Sequence, residues 1–174
     1  VSHPPRAIAI PASNSHPSRP LWSASADALA AGLFGGALAA SAFALYFLAV
    51  DLLRGEALAT PSLVGAVVFR GASPLAPVPV DLGIVGGFSL LHGALFVGFA
   101  TLAAFALARL RALPDLPLLA LVLALGLEAS FLLGSGLFAP GLGGAIGHGV
   151  VLAGNAVAGL VMAVLLRREL APLS

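Results

Sequence analysis

Four side chains could do chemistry inside an otherwise apolar stretch of this chain: His92, Glu128, His148 and Asn155. Each lies in a run of about 20 apolar residues, enough at ~1.5 Å per residue to cross a hydrocarbon core of about 30 Å. Hydrocarbon rejects such groups, so a spanning helix carries them only where they face protein or water. Glu128 stands ten residues before Phe138, and Asn155 eleven after Gly144. If the two runs fold back on each other about the uncharged link 139–144, both groups arrive near mid-depth within side-chain reach. A carboxyl group there favours its neutral form. The expected arrangement is therefore a structural hydrogen bond from protonated Glu128 to Asn155, with a proton or ion role for Glu128 as the sharper alternative.

The histidines suit other chemistry. His92 and His148 sit on different runs, and each could be an axial ligand to haem b or to a bacteriochlorophyll, with Gly93 and Gly147 or Gly149 making room for a flat ring. His92 is placed ~12 Å, and His148 ~6 Å, below the same end of the helices, which disfavours one haem shared between them. A histidine that donates to a carbonyl or serine inside a bundle is the commoner case, so no cofactor is assigned, while bound lipids are expected. Zinc needs three or four ligands, and no third is positioned beside the histidines. The chain has no glycine-rich phosphate loop after a strand, no Ser–His–Asp set and no HExxH, so catalysis is not expected. It has no cysteine, which excludes disulfides, thiolate metal sites and thioether-linked haem.

The elements that must hold these groups follow from composition. The chain has 174 residues, 60% hydrophobic and only 9% charged, with a mean hydropathy of +1.09, well inside the membrane range. A net charge of +1 leaves no nucleic-acid footprint. The expected fold is an all-α membrane protein with four transmembrane helices, at 28–50, 84–108, 118–138 and 145–166. Residues 1–23 are rich in Pro, Ser and Ala and have no face to bury, so this tail should be disordered unless another surface holds it. No signal-peptide pattern fits its start. Trp22 and Tyr46 are placed as interfacial anchors. In the long first connection, Thr60 and Pro61 suggest an N-cap and first helical position, opening a short interfacial helix over 61–69. Pro74, Pro77 and Pro79 then enforce an extended strap.

Two ladders of small residues offer close helix packing: Gly32 and Gly36, continued by Ala40, on the first span, and Gly126, Ser130 and Gly134 on the third. Arginines count two each in the N-terminal tail, the second connection and the C-terminal tail, against two in the long connection and none in 139–144. By the positive-inside rule, both termini are cytoplasmic.

The stretch ALATPSLVGAVVF over 57–69, the His92 and Glu128 helices and the closing NAVAGLVMAVLLRRE together resemble small four-span bacterial inner-membrane proteins of no known function. That resemblance implies the fold alone. The functional expectation is a non-catalytic accessory subunit of a larger bacterial inner-membrane complex, respiratory or photosynthetic, whose partners are other integral membrane subunits and lipids. The alternatives are an electron-transfer module built on His92 or His148, and a small transporter or proton channel through Glu128.

Overall fold

A computed structural model describes residues 21–110 and 113–171, with side chains from residue 25 onward. The tail 1–20, the Trp22 side chain and Arg111 lie outside the described residues. Six helices follow in order: α1 Leu21–Leu53, α2 Ala59–Arg70, α3 Leu82–Leu107, α4 Leu116–Phe138, α5 Leu142–Ile146 and α6 His148–Leu170. Four of them, α1, α3, α4 and α6, are long and apolar enough to cross a membrane. Their near-continuous apolar sequence suits a medium in which every backbone polar group must be satisfied inside its own helix.

Two expected boundaries move. α1 runs for 33 residues, ~50 Å at the helical rise, so it outreaches the hydrocarbon core. The fourth span starts at His148 rather than at residue 145, because Gly147 adopts φ 99° and the residues before it wind into the separate α5. Only glycine takes that backbone conformation without strain.

Around a shared core α3 packs on α1, α1 on α6 and α6 on α4, each pair antiparallel, and the Phe99 ring of α3 reaches Gly126 of α4. Gly32 and Gly36 of α1 lie against the α3 backbone, where a Cβ on Gly32 would collide with Thr101 and one on Gly36 would stand 2.5 Å from Val97 Cα. Gly154 of α6 accommodates Phe43, Phe47 and Tyr46 of α1, and a Cβ on Gly159 would stand 2.7 Å from the Ala124 amide nitrogen of α4. The α4 ladder behaves differently. Gly126 meets only the Phe99 ring, Ser130 is exposed, and a Cβ on Gly134 would touch nothing. The close α4–α6 contact runs through Gly159 instead, because α4 turns Leu119, Leu123 and Leu127 into the core. α6 is the central helix, with 44% of its apolar window buried against 22–28% for the others.

A second apolar cluster joins Phe47 of α1, Val67 of α2, Ala139, Leu142 and Ile146 around α5, and Val151 of α6. Both α2 and α5 therefore sit at one end of the bundle. α2 is tied down at each of its own ends. Leu58, at φ 65°, occupies the N-cap position expected for Thr60, and it makes no side-chain cap. The cap comes from α1: Thr60 donates its amide to Asp51 Oδ2 at 2.8 Å and its hydroxyl to Asp51 Oδ1 at 2.6 Å. At the other end, Arg70 Nη2 donates to Asp81 Oδ2 at 2.7 Å. Asp81 also caps α3, accepting from the amides of Gly83 at 2.9 Å and Ile84 at 3.2 Å. Between these ties, residues 71–81 carry no helix or strand, as the prolines require.

Candidate functional site

Antiparallel packing of α4 and α6 lines up two rows of residues spaced three and four apart, the spacing of one helix face. On α6 the row is His148, Leu152, Asn155, Gly159; on α4 it is Ser135, Leu132, Glu128, Ala124. Gly159 and Ala124 bring the two backbones close together at one point of this interface. One turn nearer the connections, Asn155 Nδ2 donates to Glu128 Oε2 at 2.8 Å. Farther up, α4 and the α5 turn enclose an open groove of about 240 Å³, lined by Leu132, Ser135, Gly136, Gly141, Gly143, Gly144 and, at the start of α6, His148.

The structure thus brings Glu128 and Asn155 together, with the amide as donor instead of the carboxyl group expected from sequence. A carboxyl oxygen accepts an amide proton whether the group is ionised or neutral. The bond therefore orients Glu128 without fixing its proton. Asn155 is 3% exposed, whereas Glu128 is half-buried.

His148 is the first residue of α6, so it lies at the helix end and not a full turn inside, as the sequence suggested. The ring is exposed and rests over Gly143, where an added Cβ would stand 2.9 Å from Cε1. It stands at the mouth of the groove. His92 is elsewhere, at the α1–α3 contact. Its ring centroid lies 4.9 Å from Phe43, 4.4 Å from Phe96 and 5.8 Å from Phe88. Its Nε2 is buried without a hydrogen-bond partner. The imidazole, hydrogen-bonded to the Ala40 backbone, is turned into an aromatic cluster, although Gly93 beside it borders open space. The two histidines belong to different helix contacts.

Among the described residues, no group of three or more His, Asp or Glu side chains is placed to hold a metal ion. The hydroxyls of Ser41, Ser89, Ser130 and Ser135 donate to carbonyls three or four residues back on their own helices, at 2.8–3.3 Å. These serines need no partner in hydrocarbon.

Sequence reasoning left Asp51 in a connection, yet at 1% exposure it is a fully buried carboxylate. The signal was present: an acid at the end of one helix, nine residues before a Thr-Pro pair that opens the next. Ser62, also on α2, is fully buried with no partner for its hydroxyl. Asp81 lies at the surface, where the Arg70 guanidinium first, and then the Ile84 and Gly83 amides, hold its carboxyl group below the usual 3.8.

Four long apolar helices around a shared apolar core define an all-α, multi-pass membrane protein. Comparison of the chain with protein-family models, curated proteins and solved structures finds no match.

Proposed function

We propose that this chain is a non-catalytic accessory subunit of a larger bacterial inner-membrane complex of the energy-converting type, with both termini cytoplasmic and α2 and α5 on the outer face. The observation that carries the reading lies on the outward faces of α3 and α4. On α3, Gly86, Gly93 and Gly98, and on α4, Gly134 and Gly136, have nothing within 4 Å of where a Cβ would stand. Glycine inside a helix costs about 0.5–1 kcal/mol relative to alanine, and a lipid-facing position gains nothing in return. The backbone of a neighbouring helix does gain, because it can approach closely. Both helices thus offer outward surfaces suited to other subunits. The arginine asymmetry, together with the placement of α2 and α5 at one end, supports the orientation.

Mild solubilisation followed by a native gel tests the assignment. The chain should migrate within a larger species, and migration alone at its own mass overturns the reading. Reporter fusions after Arg168 and within residues 72–80 should report opposite sides. The cofactor alternative retains His148, whose ring is exposed in a groove floored by glycine; it requires visible absorbance in the purified protein that His148→Ala removes.

A further inference from the structure

The geometry points to a binding site for the ring of a neutral quinone in the groove between the end of α4 and the α5 turn, with His148 as hydrogen-bond donor and the isoprenoid tail lying along α4 in lipid. The groove's own lining carries this. Glycine dominates it, and no side chain in it bears a fixed charge. A Cβ added at Gly136, Gly141 or Gly144 would meet nothing within 4 Å, so each would project into open space. Gly141 needs its freedom for a φ of 90°. Gly136 and Gly144 have no positive φ and no close neighbour, so they gain nothing inside the chain from lacking a side chain. What that lack leaves is a smooth, backbone-lined surface on which a flat ring can lie.

Size and depth fit a head group. The volume of about 240 Å³ is below the roughly 300–1,000 Å³ of pockets that enclose a whole drug-sized ligand, so the groove takes one end of an amphipathic molecule and leaves the rest outside. Ser135 stands one turn, ~5 Å of rise, before the end of α4, and His148 opens α6. At helical rise α4 reaches ~35 Å, against a hydrocarbon core of about 30 Å, which places the groove where hydrocarbon gives way to head groups. Beside it, Leu132, Leu133, Leu137 and Phe138 are 47–85% exposed on the α4 surface, an apolar track for a tail.

The donors select the kind of head group. The lining holds neither arginine nor lysine, the usual partners of a phosphate, so a phospholipid head group finds no counter-charge there. A neutral imidazole offers one N–H donor, and the His148 ring, exposed and resting over Gly143, has no hydrogen-bond partner among the described residues. Ser135 already gives its proton to the Leu132 carbonyl at 3.3 Å, which leaves His148 as the side-chain donor of the groove. A quinone carbonyl is the matching acceptor: uncharged, carried on a flat ring, and attached to a tail that partitions into lipid. The step is binding alone.

The test uses the isolated full-length chain in nanodiscs of zwitterionic phospholipid, so it fails or holds separately from the subunit reading. A photoreactive azido-ubiquinone with a short tail should label the segment 132–148, located by peptide mass spectrometry. Excess decylubiquinone should compete the label away, and excess phosphatidylglycerol should not. Competition by phosphatidylglycerol would mean a phosphate-bearing head group and overturns the proposal, as does label spread evenly over the lipid-facing sides of α3 and α4. His148→Ala should weaken competition by decylubiquinone about three- to tenfold, the worth of one hydrogen bond. His148→Gln, which keeps an N–H donor, should recover part of that loss. Gly144→Leu, which fills the groove, should abolish labelling, while Leu90→Phe on the exposed face of α3 leaves it unchanged. Equal competition in His148→Ala and the unmodified chain, or full labelling with the groove filled, overturns the site. Labelling and competition are read first on the unmodified chain, so a variant that fails to fold does not shield the idea.

Discussion

Removing the two partners of the Glu128–Asn155 bond one at a time should have unequal effects, because their burial differs. Asn155 is 3% exposed, so Glu128→Leu strands an amide that has no other outlet; an orphaned buried polar group costs about 1–3 kcal/mol. Asn155→Leu strands the carboxyl group of a residue that is only half-buried. That loss should be near the worth of the bond itself, about 0.5–2 kcal/mol for interhelical hydrogen bonds in membranes. The double Leu variant should lose less than the sum of the singles by a similar amount, since no group is then left unpaired. Reversible unfolding in mixed detergent micelles, followed by loss of helicity against denaturing-detergent fraction, measures all three variants on one scale. Strict additivity, or Asn155→Leu costing more than Glu128→Leu, would refute the reasoning and place the stabilising partner of Glu128 elsewhere.

Other outcomes follow from named contacts. Gly36→Ala should destabilise the isolated chain by about 1–3 kcal/mol through overpacking, since its methyl would stand 2.5 Å from Val97 Cα; Gly134→Ala, with nothing nearby, should leave thermal stability unchanged and reduce recovery of the native-gel complex. His92→Phe should change stability by less than about 1 kcal/mol, because it keeps the stack with Phe43, Phe88 and Phe96 and removes the unpartnered Nε2 while giving up the bond to the Ala40 backbone; a marked loss in a thermal melt would mean that Nε2 has a polar partner as well. The lowered carboxyl pKa of Asp81 stabilises the α2–α3 corner above 3.8, and that contribution disappears as pH falls through the lower folded-state value. Protease cleavage within residues 71–81 should therefore rise below about pH 3.8 and, because the pair is exposed, also at high salt. Asp81→Asn should abolish that acid response.

The four spans and the Glu128–Asn155 pairing were legible in the sequence because each depends on local quantities. An unbroken apolar run long enough for the bilayer becomes a helix, and two polar residues at matched distances from one short link must arrive at similar depth when the chain reverses. The Gly32–Gly36 strip was legible for the same reason: four-residue spacing marks one face of one helix. The identical spacing at Gly126, Ser130 and Gly134 did not predict its own use. Which face of α4 turns inward depends on how Leu119, Leu123 and Leu127 fit the other helices, a comparison among several surfaces that no single segment contains. Gly159 against Ala124 was invisible for that reason, as was the packing of α3 on α1, α1 on α6 and α6 on α4. The break before His148 rested on one glycine whose positive φ is permitted by its type but chosen only when α5 finds Phe47, Val67 and Val151 to pack against. Asp51 reads in the sequence as an ordinary charge closing a helix. Its carboxyl group is buried because α2 folds back over the end of α1, and the amide and hydroxyl of Thr60, nine residues on, then replace water.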